Sequence, residues 1–337
     1  MRIDRVLACV MPMVLPMVLP MVLPMVLAAG GAQAQGNAPA WPTQNIKWVV
    51  PYPPGGNTDV LARAIAEKIS PALGQAIVIE NRPGANTVTG TNAVARSDDG
   101  HTIGLIVDSH SINAAFGRPL PYDSVKDFVP IVQLVRVPFV LVTNAEKLPV
   151  KTLAEFVTHA KANPGKVTFG ALGPGSPHQI SMEWFRALAG ISVNIVPYRG
   201  VAPAMTDVVA GHIDSMVTGS FIAMPHIETG RIRALAVTSA DRLKLLPAVP
   251  TIREEGYPSY VHLTWYGVAG PRSMPTAVVN RLNAEINKAM AHPDVAVKIG
   301  QAGTETVGGS PADFEQMLVQ DLAKFREVIK ISGAKPE

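Results

Sequence analysis

Short apolar runs rich in β-branched residues alternate along the chain with longer stretches whose apolar positions recur at helical spacing. That alternation predicts an α/β fold with mainly parallel strands covered by helices. Ile46 to Val50 reads as the first strand, followed by a Pro-Gly turn and an amphipathic helix from Asp59 to Leu73. Val60, Ala64, Ile65 and Ile69 share one face of that helix, and Gly74 supplies its stop. Ile77 to Glu80 and Thr102 to Val107 continue the series. A second series begins at Phe139 to Val142 and runs through Val167 to Gly170, Val193 to Val196, Ile213 to Val217 and Ile232 to Val237.

Two such series call for two sheets, hence two lobes. Tyr266 to Ala269 reads as one further strand, with helices at Pro275 to Met290 and Pro311 to Ile331 after it. The last opens with Ser310-Pro311, a cap followed by proline at the first helical position, and carries Phe314, Leu318, Leu322, Phe325 and Ile329 as its apolar stripe. This terminal piece is expected to pack back on the first sheet. The lobes would then comprise residues 35–138 with 262–337, and residues 139–261. The chain would cross between them near Val137 to Thr143 and near Tyr260 to Gly267, and no glycine/serine linker intervenes. A pair joined in that way closes on a ligand between its halves.

The first 34 residues follow a different pattern: Arg2 and Arg5, an apolar tract from Val6 to Ala29 with Pro-Met-Val-Leu repeated four times, then Ala32-Gln33-Ala34. This is the order of a secretory signal cleaved after Ala34, placing the protein in the periplasm. A retained anchor is the alternative; proline at every fourth position opposes it, each costing about 3 kcal/mol in a helix interior. The sole cysteine, Cys9, lies in this leader, so the remaining chain has no disulfide or thiolate chemistry. A formal charge of +3 over 337 residues, without a basic run, excludes a nucleic-acid partner.

Glycine-rich loops mark the candidate chemistry. Pro51-Tyr52-Pro53-Pro54-Gly55-Gly56-Asn57-Thr58-Asp59 lies between a strand and a helix, where Asn57 or Thr58 can cap and the free amides can face an anion. The same residues suit an ordinary capped turn. Gly170-Ala171-Leu172-Gly173-Pro174-Gly175-Ser176-Pro177-His178 repeats the design in the second half, with Ser176 as cap, and Val196-Pro197-Tyr198-Arg199-Gly200 makes a third junction. Two helix starts, each contributing about 0.3–1 kcal/mol through its dipole, can hold the carboxylates of a small acid without an Arg or Lys clamp. Catalytic motifs are missing: the chain has no G-x-S-x-G, P-loop or H-E-x-x-H, and its histidines lack metal-ligand spacing. No catalytic residue, metal or cofactor is expected. His110 and His178 are the two histidines suspected of touching ligand.

In combination and order, several stretches resemble the substrate-binding proteins of tripartite tricarboxylate transporters, the Bug family. They are Pro53-Pro54-Gly55-Gly56 with Asp59, Glu80-Asn81-Arg82-Pro83-Gly84-Ala85, Asp108-Ser109-His110-Ser111-Ile112-Asn113, Gly173-Pro174-Gly175-Ser176, Pro197-Tyr198-Arg199-Gly200, Ala234 to Ser239, and Trp265-Tyr266-Gly267 with Ala269. The resemblance runs from about Trp41 to the C-terminus. It implies a type II periplasmic binding protein, two α/β lobes joined by two crossover strands, that captures a small di-, tri- or aromatic carboxylate without turnover. Such a protein hands its ligand to a transporter or, alternatively, to a membrane sensor kinase, and acts as a monomer; an exported enzyme on the same fold is the remote alternative. The ligand would lie against Tyr52, Pro53, Gly55, Gly56, Asn57, Thr58, Asp59, Ser109, His110, Gly175, Ser176, His178, Tyr198, Gly200 and Thr218, with Asp59 fixing the helix start more than touching ligand. Two departures stand out. Asn86-Thr87 occupies a turn that continues with glycines in the family, narrowing the wall or adding polar contacts. Val217-Thr218-Gly219-Ser220 lacks the acid that would favour amino-acid ligands.

Overall fold

A computed structural model describes residues 41–117, 119–301 and 304–335; the leader read at residues 1–34 lies outside them. The elements in chain order are β1 (Ile46–Val50), α1 (Asn57–Leu73), β2 (Ile77–Asn81), α2 (Val88–Ala95), β3 (Thr102–Val107), α3 (Ser109–Ala115) and β4 (Phe128–Asn144). There follow α4 (Leu153–Ala162), β5 (Thr168–Ala171), α5 (Pro177–Ala189), β6 (Asn194–Pro197), α6 (Val201–Ala210), β7 (Ser215–Gly219), α7 (Ser220–Glu228) and β8 (Ile232–Val237). The chain closes with β9 (Leu263–Pro271), α8 (Thr276–Met290), α9 (Pro293–Gln301), β10 (Glu305–Gly308) and α10 (Pro311–Ser332).

The two-lobe α/β architecture follows from this order. In the first half β1 pairs in parallel with β2 and β3; in the second β5 pairs in parallel with β6 and β7. The expectation of mainly parallel strands needs correcting, because β4 runs antiparallel to β7, β8, β9 and β10, and β3 runs antiparallel to β9. The two expected sheets are present, β2-β1-β3-β9 with β10 and β6-β5-β7 with β8, and β4 runs through both, so a hydrogen-bonded path from β2 to β6 links them. The join is β4 itself: Phe128 to Pro138 pairs with β9, and Phe139 to Thr143 pairs with β7.

Apolar side chains fill both faces. Trp48, Ile103 and Leu105 meet Ile65 and Ile69 of α1 and Leu282 and Ile286 of α8 in one core, while Phe139, Phe156, Phe169 and Phe185 build another. The buried face of α1 includes Leu61, Ala62, Ile65, Ala66 and Ile69; Val60, assigned to it from spacing, is 47% exposed. The helix also starts two residues earlier than expected, at Asn57. Ser310 and Asp313 form a reciprocal capping box on α10, each side chain bonding the other's backbone N–H. This helix packs on α3, α5 and β4, not only on the first sheet. Phe314 reaches the core around Val49 and Trp265, whereas Phe325 and Val328 enter the second core.

Candidate functional site

The first two loops singled out in the sequence begin where the mostly buried strands β1 and β5 end, and the third follows the more exposed β6; each emerges at the carboxyl end of its strand. After β1 the chain turns through Tyr52 and the exposed Pro53, Gly55 and Gly56; Gly55 has φ of 83°, a conformation that favours glycine. Gly56 is the N-cap of α1, and no side chain caps this helix start. Neither Asn57 nor Thr58 caps it, as had been expected: both stand inside the first turn, with their own amides among those that need acceptors. Asp59, 3% exposed, turns back on the loop instead. Its carboxylate accepts from Gly55 N (2.9 Å), Arg63 Nε (3.0 Å) and Asn81 Nδ2 (2.9 Å). Burial alone would raise the Asp59 pKa, but the bonds from Arg63, Gly55 and Asn81 outweigh it and hold the carboxyl below its ordinary value.

In the second half, Ser176 caps α5 by accepting from Gln179 N (3.2 Å), and Gly175 N donates to Gln179 Oε1 (2.6 Å). The Ser176 hydroxyl acts there as an acceptor and retains its own proton. After β6, Tyr198 spends its hydroxyl on Asp207 Oδ2 (2.6 Å); burial and that bond raise its pKa to about 12. Gly200 starts α6 without a side-chain cap.

One chain of contacts connects the two halves. Ser109 stands at the start of α3. Ser109 Oγ reaches Asn86 Oδ1 (3.4 Å), and Asn86 Nδ2 donates to the carbonyl of Gly175 (2.9 Å). The start of α3 and the loop before α5 thus meet through Asn86, which the sequence marked only as a departure.

Nearby polar groups are buried without partners: Thr87 Oγ1, Thr218 Oγ1, Ser220 Oγ and His178 Nδ1. Leaving a buried hydroxyl unsatisfied costs about 1–3 kcal/mol, so such groups mark places where a protein reserves hydrogen bonds. His178 packs on Phe139 with ring centroids 4.7 Å apart, and burial, with a small push from His262, lowers its pKa to about 3. It is a neutral imidazole that can donate or accept. His110 stands elsewhere: its Nε2 lies 2.7 Å from Ser124 O, and its ring sits between Tyr122 and Phe128. Its Nδ1, like that of His178, is buried without a partner.

Beneath the loops lies a second constellation that spacing did not disclose. Asp108, fully buried, accepts from Thr264 Oγ1 (2.7 Å), and its free Oδ2 is 3.6 Å from His262 Nε2. Burial raises Asp108 to about 7 against the opposing pull of Thr264 and Lys324, and lowers His262 well below the ordinary histidine range. Among the described residues no group of three His, Cys, Asp or Glu could hold a metal ion.

Residues 61–334 match the model of the tripartite tricarboxylate transporter family receptor. Protein BugT of Bordetella pertussis is 35% identical over 314 residues, covering 92% of this chain and 95% of its own. Among solved structures, Rpa4515 of R. palustris with adipate superposes with a TM-score of 0.81 at 34% identity, over 88% of this chain and 100% of its own. MatC of Rhodopseudomonas palustris with bound malate reaches 0.78 at 29% identity, over 86% and 99%.

Proposed function

Because the chain belongs to the tripartite tricarboxylate transporter receptor family, we propose that it is a periplasmic solute-binding protein that captures a small carboxylate between its lobes. The lobes are residues 35–138 with 262–337, and residues 139–261. One observation carries the reading: Asn86 joins the start of α3 to the loop at the start of α5, while α1 starts without a side-chain cap. Amides at the α1 start and the Ser176 hydroxyl supply donors to a carboxylate, and Thr218 and His178 supply neutral partners for its remaining polar atoms. Relatives bound to adipate and to malate support a dicarboxylate as the class.

The site residues are those of the two loops with Ser109, His178, Tyr198, Gly200 and Thr218; Asp59 holds the loop. The protein binds its ligand without chemistry and passes it to a membrane transporter of the tripartite type. Export follows cleavage after Ala34, which N-terminal sequencing of the secreted protein tests. Calorimetry against di-, tri- and aromatic carboxylates tests the binding, and heat from none of them sinks it. The double variant Ser176→Ala with Gly56→Val is expected to weaken binding while the protein stays folded. Unchanged affinity would place the cleft elsewhere.

A further inference from the structure

A cavity of about 140 Å³ lies between α10 and the paired strands β4 and β9, and it shares no residue with the loops of the cleft. Arg136 on β4 stands opposite Trp265 on β9, so both side chains leave the same face of the sheet. Strict alternation would send Gln133 to the other face; the irregular register between Gln133 and Val135 brings it round to this one. Met317, Asp321 and Lys324, at successive turns of α10, close the space from the helix side, and Leu263 adds to its apolar wall. Three donors here have nothing to donate to. Gln133 is 4% exposed, and its Nε2 is buried without a partner. The Lys324 ammonium lies over the rings of Trp184 (5.7 Å) and Phe325 (5.2 Å), and Arg136 is exposed, with Glu305 opposite it on β10. Among the described residues neither cation has a hydrogen-bond or ion-pair partner. Asp321 differs, since its Oδ2 accepts from Trp265 Nε1 (2.8 Å). Burial pulls the Lys324 pKa below its ordinary value, and the opposing pull of Asp321 and Asp108 does not make up the loss.

We propose that this cavity is a second ligand site, separate from the cleft, that takes a small monocarboxylate of about four carbons. Charge sets the class: two cations against one carboxylate leave a single positive charge, which one further carboxylate neutralises. Volume sets the size, because a cavity of about 150 Å³ accepts benzene, with about six non-hydrogen atoms, and butyrate has as many. The hydrocarbon chain lies on Leu263, Trp265 and Met317, and the carboxylate accepts from Gln133 Nε2, Arg136 and Lys324.

Proton-nitrogen NMR with butyrate and its neutral isostere butyramide tests it. The reporter is the indole N–H of Trp265, one of 4 tryptophans in the chain, identified by its loss in Trp265→Phe. Near neutral pH, butyrate should shift that resonance with a dissociation constant on the order of 1 mM, and butyramide should bind about tenfold more weakly or worse. Arg136→Gln alters an exposed side chain without bonds, so the protein stays folded, and butyrate should bind about tenfold more weakly. Lys324→Met keeps the apolar stem and loses the charge, with the same effect expected; should it unfold, Arg136→Gln decides alone. The cleft variant Ser176→Ala with Gly56→Val should leave the Trp265 response as it is. A response that fails to saturate by about 100 mM overturns the proposal, as does equal binding of butyramide or wild-type affinity in Arg136→Gln. A response lost in the cleft variant also overturns it, by tracing the signal to the cleft.

Discussion

Replacing Asp59 with alanine isolates what holds the loop after β1. Three groups give up their acceptor: Gly55 N at 2.9 Å, Asn81 Nδ2 at 2.9 Å, and the Arg63 guanidinium at 3.0 Å. Bonds to a charged acceptor contribute about 1.5–3 kcal/mol each. The Arg63 side chain is 52% exposed and Gly55 lies at the surface, so both regain water, and Asn81 retains the Tyr52 carbonyl at 3.0 Å. The net loss of stability should therefore be about 2 kcal/mol, less than the sum of the bonds. Urea denaturation of wild type and variant measures it directly. The sign of the pH dependence follows from the depressed Asp59 pKa. The contribution is complete above the ordinary value of 3.8 and disappears as the pH falls through the lower folded value, so the two proteins converge in acid. Carboxylate affinity should drop by about tenfold, roughly 1.4 kcal/mol, as the Gly55 turn loosens. A variant within about 0.5 kcal/mol of wild type with unaltered affinity would refute the reasoning, since the carboxylate would then hold nothing.

Thr218→Val removes a fully buried hydroxyl that has no partner, so stability should rise by about 1 kcal/mol while carboxylate affinity falls; a stabilised variant that binds as well as wild type removes Thr218 from the site. Gly267→Ala would put a methyl 2.6 Å from Phe314 Cε1, between β9 and α10, and should cost about 1–3 kcal/mol in thermal or urea unfolding. A neutral result there means that α10 shifts freely. Burial lowers His110 to about 4 and His178 to about 3, so their ring proton resonances should stay unchanged from about pH 8 to about pH 5. The unfolded chain takes up the protons these folded rings refuse, so their share of stability falls as pH drops below 6.5. Asp108, raised to about 7, acts in the opposite sense above 3.8, which makes the individual resonances the proper readout.

Features governed by neighbours along the chain were legible. Ser176 before Pro177, Gly74 after α1, and Ser310 before Pro311 all appear as local capping chemistry, and all act as such in the fold. What failed depended on distance or direction. Pro130, Arg136 and Pro138 interrupt the pattern of β4, so its 17 residues read as a short strand beginning at Phe139. Their partners on β9 and β10 lie more than 120 residues later and leave no local trace. Ser109 and His110 are adjacent in sequence, but a helix turns about 100° per residue, so one faces Asn86 and the other faces Ser124. Asn86 acts through Asn113 and Gly175, residues that no spacing rule connects to it. For Asp108 and His262, desolvation is the decisive property, and the surrounding packing creates it only after folding.

The continuity of β4 also bears on how this molecule can be taken apart. Cutting the chain between Pro138 and Phe139 would not release two independent modules, because each fragment would lose a strand flanked on both sides by backbone hydrogen bonds. The exposed sheet edges would present unpaired amides and carbonyls to other chains, an invitation to aggregation. The fragment from Phe139 onward needs Phe128 to Pro138 beside β9 and β10, and the fragment ending at Pro138 needs β9, so neither folds alone and unfolding should proceed as one transition. The strand that both halves share commits them to a single act of folding.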